Sequence, residues 1–210
     1  MDYNEAKEGI YMTHFYIIRH GETVFNRKGR IQGWCDSPLT DLGVSQAKQL
    51  GKELKNVPFD VCFCSTSERA IGTANSILEG RNVKIIPSKN LKEQSFGDFE
   101  AEKSVDIFKD GVRFPNGYRF CGGENHSDVI ERVTNELKKI ASEYPNANVL
   151  VVCHGSAIKH IVNALCPGFV DEKPNTAALV PNCSVTRMDC DTELKLIEKP
   201  HLFHGQQTLK

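Results

Sequence analysis

The stretch HFYIIRHG, residues 14–21, is a short apolar run that ends in an arginine, a histidine and a glycine. A second stretch, NVLVVCHG at residues 148–155, again places a histidine and a glycine directly after an apolar run. Shorter runs occupy residues 60–64 (DVCFC) and 83–86 (VKII). Runs of this length, rich in β-branched residues, are typical of strands buried on both faces of a parallel sheet. The four runs therefore predict the strands of such a sheet.

Helical patterns separate these runs. Thr40 is placed to cap a helix over residues 41–55. Helices are also predicted over residues 68–78, over residues 128–143 and after Gly155. Because strands alternate with helices, we expect an α/β fold, namely a three-layer αβα sandwich with a mainly parallel sheet.

The C-terminal part predicts two further strands, over residues 183–189 and 193–198, joined as a hairpin at a sheet edge. A length of 210 residues is compatible with one domain. We expect its core at residues 14–198 and a loose tail at residues 199–210.

Residues 100–125 differ from the rest of the chain in having weak periodicity and several glycines. We expect this segment to be an inserted lid over one face of the domain, where it would set substrate specificity. Its basic side chains are Lys103, Lys109, Arg113 and Arg119.

The composition narrows the choice of partners. The formal net charge is -1, without long blocks of one sign, which argues against binding of nucleic acid or an anionic membrane. The sequence contains no apolar run of about 20 residues and no signal-peptide pattern at its start, so we expect a cytoplasmic protein. Its eight cysteines include no CxxC pair, which favours free thiols over disulfides or a zinc clamp.

Residues with catalytic potential follow the predicted strands. Ligands of open parallel sheets bind at the carboxyl ends of the strands. Arg19 and His20 follow the first run, Arg69 comes shortly after the second, and His154 follows the last. Glu93 lies a few residues beyond the third run. The topology therefore predicts that two histidines, two arginines and one carboxylate meet at one edge.

These residue types suit a phosphate monoester. Arginine binds phosphate oxygens through bidentate, charge-assisted hydrogen bonds, a role that fits Arg19 and Arg69. Gly21 and Gly155 would let backbone N–H groups approach the anion, and Gly155 starts a helix whose dipole adds positive potential. His154 would donate to the same oxygens.

His20 is the candidate nucleophile. Imidazole has a reference pKa of about 6.5, and neighbouring arginines disfavour its protonated form, which keeps a lone pair free to attack phosphorus. Loss of the alkoxide requires a proton, for which Glu93 is the candidate donor; the same group would then activate water.

Other chemistries fit the sequence less well. Zinc would need His20, His154 and Glu93 as ligands, but the two arginines would repel a divalent cation, and HExxH is absent. A cysteine phosphatase would need five residues between its thiolate and its arginine, whereas four separate Cys64 from Arg69. Walker A, GxSxG and GxGxxG motifs are also absent.

The sequence RHGETVFN at residues 19–26 resembles the histidine phosphatase superfamily, also called phosphoglycerate mutase-like proteins. The resemblance runs in order over residues 14–164. Its further motifs are GWCDSPLTDLGVSQA at residues 33–47, S-x-x-x-R-A-x-x-T-A at 65–74, LKEQSFGDFE at 91–100 and VCHG at 152–155.

The resemblance implies a histidine acid or neutral phosphatase that needs no cofactor, with His20 as nucleophile and Glu93 as proton donor. It also implies that Arg19, Arg69 and His154 form the phosphate pocket and that Asn26 lies on the phosphate side. The complete set of predicted substrate-binding residues is Arg19, Gly21, Thr23, Asn26, Arg69, His154 and Gly155.

Departures from the family pattern bear on the activity. Phe25 stands where tryptophan is common, and Ala101 follows Glu100 where glycine is common. Cofactor-dependent mutases of the family carry a longer, arginine-rich insertion after the position of Glu93, and residues 100–125 lack a clear equivalent. We therefore expect a phosphatase acting on a small phosphate monoester, such as α-ribazole phosphate or a sugar phosphate.

Two alternatives stay open at this point. One is a cofactor-dependent phosphoglycerate mutase, and the other is a phosphate-binding module without catalysis. The exposed sheet edge at the C-terminal hairpin would suit a homodimer.

Overall fold

The computed structural model describes residues 11–109, 114–171 and 175–203. Six strands of this part of the chain form one sheet in the order β3-β2-β4-β1-β5-β6. Their bounds are β1 Thr13–Arg19, β2 Val61–Ser65, β3 Ile85–Ser88, β4 Asn148–Cys153, β5 Val185–Cys190 and β6 Leu194–His201. Strands β3, β2, β4 and β1 are parallel, whereas β5 and β6 are antiparallel to their neighbours. The expectation of a mainly parallel sheet is confirmed.

Helices cover both faces of the sheet. The α-helices of the described residues are α1 Val24–Arg27, α2 Asp41–Glu53, α3 Glu68–Ile77, α4 Ser104–Ile107, α5 His126–Glu143, α6 Gly155–Leu165 and α7 Thr176–Leu179. Helices α5 and α6 pack on one face against Phe15, Ile17, Val149, Val151 and Cys153. Helices α2 and α3 pack on the other against Ile18, Cys62, Cys64, Leu150 and Val152. The arrangement is the expected three-layer αβα sandwich, and side chains alternate between its two cores along each strand.

Three strands differ from the prediction by two residues or more. Strand β5 begins at Val185 rather than at residue 183. Strand β3 lies two residues later than residues 83–86, because the register with β2 pairs Ile85 with Cys62 and Ser65 with Ser88. Strand β6 continues to His201, three residues beyond the predicted end of the hairpin. The first three residues of the predicted loose tail are therefore strand, and its residues 204–210 lie outside the described residues. The residues by which β3 and β6 pass their predicted ends include one proline each, Pro87 and Pro200. Both strands lie at sheet edges, where a missing backbone N–H is tolerated.

Helix α5 begins at His126 rather than at residue 128. Asn125 and Asp128 form a capping box, in which the Asp128 carboxylate accepts a hydrogen bond from the Asn125 N–H at 2.9 Å. Asp128 is therefore the third residue of the helix and not its start.

The segment predicted as a lid is described at residues 100–109 and 114–125; Arg113 lies outside the described residues. Much of its packing is aromatic. The ring centroids of Phe114 lie 5.4 Å from Tyr118 and 5.2 Å from Phe120. Ala101 has a φ of 68°, the left-handed conformation that favours glycine.

All eight cysteines are free thiols, as expected from their spacing. Cys62, Cys64 and Cys153 are buried in strands, and burial raises the pKa of Cys64 to about 11. Within the described ranges no helix is both long enough and apolar enough to cross a membrane.

Helices α2 and α3 touch at Gly51, and this contact generates a stability prediction. A Cβ at Gly51 would lie 2.4 Å from the carbonyl oxygen of Ile77, which is backbone and cannot rotate away. We expect Gly51→Ala to lower the free energy of unfolding by about 1–3 kcal/mol, measured by urea denaturation, since the two helices must separate.

The matched control is Gly72→Ala. In α3, a Cβ there would meet only the Leu39 side chain, at 3.1 Å. The gain in helix propensity of about 1 kcal/mol offsets that contact, so we expect little net change. Equal stability of Gly51→Ala and wild type would contradict the helix contact.

Candidate active site

The structure brings the five predicted residues together at the carboxyl edge of the parallel strands. Arg19 ends β1 and His20 follows it, Arg69 lies in the first turn of α3 after β2, and His154 follows β4 as the N-cap of α6. Glu93 follows β3 and a short 3₁₀ helix at Lys89–Leu91. All five side chains are buried.

The His20 ring is held in one tautomer. Its Nδ1 lies 2.8 Å from the carbonyl oxygen of Gly21, which can only accept, so Nδ1 carries the proton and Nε2 keeps a lone pair. Burial lowers the pKa of His20 well below its usual value, and the charges of Arg69 and Arg19 lower it further. His20 is therefore a neutral imidazole at neutral pH, as the sequence predicts.

His154 faces His20. Their ring centroids are 5.2 Å apart and the ring planes are inclined by 61°. Burial lowers the pKa of His154 well below its usual value, and the neighbouring charge of Arg69 adds to the effect. Both of its ring nitrogens are buried without a hydrogen-bond partner among the described residues.

Two arginine nitrogens of the site also lack a hydrogen-bond partner. The Nε atoms of Arg19 and Arg69 are buried and have no partner within the part of the chain that the structure describes. Buried donors are normally hydrogen-bonded, because an unpaired one costs about 1–3 kcal/mol. Unpaired donors on Arg19, Arg69 and His154 around one imidazole indicate a preformed site for an anion.

Arg69 is fixed by the loop at residues 33–36. Its guanidinium donates to the carbonyl oxygens of Gly33 at 2.8 Å and Cys35 at 3.0 Å, and it pairs with Asp36 at 2.8 Å. The Glu100 carboxylate holds the same loop from the other side, accepting from the N–H of Trp34 at 2.9 Å and of Cys35 at 2.8 Å. These contacts use both N–H groups of Nη1 and one of Nη2, which leaves the Nε N–H and one N–H of Nη2 for a ligand.

Arg19 is fixed by the chain that leads into β5. Its Nη1 donates to the carbonyl oxygen of Val180 at 2.7 Å, and its backbone pairs with Ser184 and Cys183. Burial lowers the pKa of Arg19 to about 10, while the charge of Glu93 opposes that shift. The side chain stays cationic at neutral pH.

Glu93 lies at the N-terminus of α6. Its carboxylate accepts hydrogen bonds from the N–H groups of Ser156 at 3.0 Å and Ala157 at 2.9 Å. Arg132 donates to the Glu93 carbonyl oxygen at 2.9 Å and forms an ion pair with Glu124. Because α6 starts directly after His154, this contact positions the carboxylate beside the histidine pair.

The structure gives Gly21 a role that differs from the expected one. The Gly21 N–H donates to the Thr73 hydroxyl at 3.0 Å, and a Cβ at Gly21 would lie 2.4 Å from the Gly43 carbonyl oxygen. Gly21 is therefore required for close packing of two backbones. A Cβ at Gly155 would lie 3.0 Å from the Thr176 side chain and 3.2 Å from the Arg19 Nε, so Gly155 makes room for both. Binding of an anion by the Gly155 N–H stays a prediction.

Thr23 and Asn26 form the start of α1. The Thr23 hydroxyl accepts from the Asn26 N–H and donates to Gln32 at 3.0 Å, which makes it a helix cap. Asn26 accepts from the Thr23 N–H at 3.2 Å and from the Asn182 side chain at 3.3 Å. The structure gives both residues local structural contacts; their part in substrate binding stays a prediction.

Sequence reasoning missed Asn182, Asp36 and Gln94. Asn182 donates to the His20 carbonyl oxygen at 2.9 Å. It lies in sequence before β5, outside every motif, so no signal pointed to it. Asp36 lies within the segment GWCDSPLT at residues 33–40. A buried Arg69 needs a counter-charge, and this requirement could have indicated Asp36.

Gln94 joins the site to a second histidine pair. Its Oε1 accepts from the Nε2 of His160 at 3.0 Å, which fixes the His160 tautomer, and its Nε2 donates to the Glu124 carbonyl oxygen at 3.1 Å. The His160 ring stacks on His126 with centroids 4.2 Å apart. In the ranges that the structure describes, no group of three His, Cys, Asp or Glu side chains is arranged to hold a metal ion.

The fold and the site together define an α/β protein whose histidine-arginine pocket lies at the carboxyl edge of a mainly parallel sheet. The family model of the histidine phosphatase superfamily (branch 1) matches residues 15–200, and the chain belongs to that family.

Proteins similar to this chain are named as phosphatases or as phosphoglycerate mutases. The uncharacterized phosphatase PhoE of Bacillus subtilis is 31% identical over 175 residues, covering 82% of this chain and 86% of that protein. A putative phosphoserine phosphatase 2 of Hydrogenobacter thermophilus is 30% identical, covering 72% of this chain and 77% of that protein. The structure of a phosphoglycerate mutase from Bacillus anthracis matches with a TM-score of 0.79 at 31% identity, covering 90% of this chain and 92% of that one.

The second histidine pair generates a prediction of pH dependence. Burial lowers the pKa of His160 to about 2, and neighbouring Lys159 and His126 add to the shift. An unfolded imidazole has a pKa of about 6.5, so between these values the unfolded state binds more protons and stability rises with pH. When the pH falls from 7 to 5, we expect the free energy of unfolding of His160→Gln to decrease by about 2 kcal/mol less than that of wild type. The glutamine side chain keeps a donor toward Gln94.

Urea denaturation of both proteins at the two pH values measures this difference. Equal decreases in the free energy of unfolding of the two proteins would contradict a lowered pKa of His160 in the folded state.

Proposed function

We propose that the protein is a metal-independent phosphomonoesterase that hydrolyses a small phosphorylated metabolite through a phosphohistidine on His20. The observation that carries this proposal is the set of buried donors without partners on Arg19, Arg69 and His154 around a neutral His20. A phosphoryl group supplies the acceptor oxygens that these nitrogens lack. The names of the phosphatase relatives support the same activity.

In the first step the Nε2 lone pair of His20 attacks phosphorus. The P–N bond forms while the bond to the ester oxygen breaks, and its electron pair stays on that oxygen. Glu93 donates the proton that converts the departing oxygen into a hydroxyl. The Glu93 oxygens accept N–H bonds from α6, which fixes the carboxyl group in place for this transfer.

In the second step water hydrolyses the phosphohistidine. Glu93, now ionised, takes a proton from the attacking water, the P–N bond breaks, and His20 regains its lone pair. Arg19, Arg69 and His154 stabilise the charge on the equatorial oxygens in both transition states. Their positions are fixed before the substrate arrives, so little reorganisation is required.

The other expectations from the sequence also enter this proposal. We propose one domain with residues 100–125 as a lid, supported by the Glu100 contacts to the loop that holds Arg69. A cytoplasmic location and a homodimer through the β6 edge are proposed on the sequence arguments alone. A phosphoglycerate mutase is the second candidate, favoured by the Bacillus anthracis structure. Interconversion of phosphoglycerates that depends on added 2,3-bisphosphoglycerate would favour the mutase.

The nucleophile is tested with His20→Ala. We expect hydrolysis of p-nitrophenyl phosphate by wild type in the presence of EDTA and a loss of at least about 10³-fold in kcat for the variant. His201→Ala, which removes a partly exposed histidine on β6, is the control and should keep wild-type turnover. Retained activity in His20→Ala would remove His20 from the proposed role.

The proton donor is tested with Glu93→Gln. Because an alkyl leaving group needs the proton and p-nitrophenolate does not, kcat/KM should fall by about 10²–10⁴ for glycerol 3-phosphate and much less for p-nitrophenyl phosphate. Glu136→Gln is the matched control, since this buried carboxylate binds Ser88 and Asn90 instead. An equal loss on both substrates would contradict proton donation by Glu93.

A further inference from the structure

Trp34 is the single tryptophan of the chain, and the proposed mechanism does not use it. It lies in the loop at residues 33–36, between two residues whose carbonyl oxygens accept hydrogen bonds from Arg69. Its indole Nε1–H donates to the Glu93 carbonyl oxygen at 2.9 Å. Trp34 therefore connects the loop that holds a phosphate-binding arginine to the proposed proton donor.

The backbone of Trp34 is fixed within that loop. Its N–H donates to the Glu100 carboxylate at 2.9 Å, and Glu100 also accepts from the Phe96 N–H at 3.1 Å. A Cβ at Gly33, the residue before Trp34, would collide with the same carboxylate, so the loop and Glu100 are in close contact. The loop and the Arg69 side chain thus form one unit, and the indole extends from this unit to Glu93.

The indole ring contributes little to the core. Trp34 is 47% exposed, and the Lys92 ammonium group lies 4.5 Å from the centroid of its ring. The polar edge of the ring, in contrast, meets the Glu93 backbone. Because a half-exposed ring removes less apolar surface from water than a core side chain does, loss of its N–H should affect the contact with Glu93 more than the fold.

Glu93 is held at two points. Its carboxylate accepts hydrogen bonds from two N–H groups of α6, and these fix the direction of the carboxyl group. Its carbonyl oxygen accepts from Trp34 and from Arg132, each at 2.9 Å, and these fix the backbone from which the side chain extends. Arg132 belongs to α5, whereas Trp34 belongs to the loop of Arg69. The indole contact therefore sets the place of Glu93 relative to the phosphate pocket.

We propose that Trp34 is a positioning residue that fixes the Glu93 carboxyl group relative to a phosphoryl group bound at Arg69. The inference rests on the proposed phosphomonoesterase activity. A proton donor must lie within hydrogen-bond distance of the ester oxygen, so a small displacement of the Glu93 backbone slows the transfer. Trp34 acts on the step that needs the proton of Glu93 and not on the binding of phosphate.

The test removes the indole N–H and keeps an aromatic ring. Two replacements do this: Trp34→Phe, and 3-benzothienylalanine at position 34, in which sulfur takes the place of the N–H. Phenyl phosphate and p-nitrophenyl phosphate are the substrates, because phenolate is the more basic leaving group and needs the proton more. We expect kcat/KM to fall by about 10-fold or more for phenyl phosphate and by less than about 3-fold for p-nitrophenyl phosphate.

The phosphate pocket is measured separately. Competitive inhibition by inorganic phosphate should have the wild-type inhibition constant in both replacements, since Arg69 keeps its contacts to the loop carbonyl oxygens and to Asp36. Tyr11→Phe removes a polar group from another exposed ring, before β1, and is the control that should leave all three values unchanged.

A double variant shows whether Trp34 acts through Glu93. A residue that positions the proton donor has no further effect once the donor is removed. We therefore expect Trp34→Phe in the Glu93→Gln background to hydrolyse phenyl phosphate within about 2-fold of the rate of Glu93→Gln alone.

Each outcome decides the inference. Equal losses on the two esters, a raised inhibition constant for phosphate, or an additional loss in the Glu93→Gln background would overturn the positioning role. Wild-type kcat/KM for phenyl phosphate in the benzothienyl protein, which keeps the shape of the ring, would overturn it as well. Absence of p-nitrophenyl phosphate hydrolysis by wild type would instead overturn the proposed function.

Discussion

The buried guanidinium of Arg69 is the constraint on which the rest of the site depends. A buried cation is unstable unless it is paired and hydrogen-bonded, and this one lies beside a second buried arginine. Asp36 and two carbonyl oxygens of its loop meet the requirement, and Glu100 fixes that loop from behind. The contact of α2 with α3 at Gly51 packs the helix that carries Arg69. These contacts leave the Nε N–H of Arg69 and one N–H of its Nη2 for a ligand.

The same burial determines the state of the histidines. Loss of solvation and the two arginine charges both oppose protonation, so His20 and His154 are neutral where a solvated histidine would be partly charged. A carbonyl oxygen of the adjacent glycine then decides which nitrogen of His20 holds the proton. Electrostatics and one backbone contact thus prepare a lone pair without a catalytic base.

Helix α6 connects the parts of the site. His154 is its N-cap residue, Glu93 accepts hydrogen bonds from the N–H groups of its first turn, and His160 binds Gln94 from its second turn. The N–H groups of Ser156 and Ala157 at its N-terminus hold the Glu93 carboxyl group in place. A shift of this helix would therefore move the Glu93 carboxyl group and the His154 ring together.

The sequence by itself determined the sandwich, the parallel core strands and the edge at which Arg19, His20, Arg69, Glu93 and His154 meet, because periodicity and strand order depend on local chemistry. It did not determine the role of Gly21, whose N–H donates to the Thr73 hydroxyl. It also did not determine the contact of Asn182 with His20, which joins residues 162 positions apart. Nor did it show that the terminal nitrogens of Arg69 are used by a loop. Such facts depend on which backbones approach each other, and only the packed tertiary structure decides that.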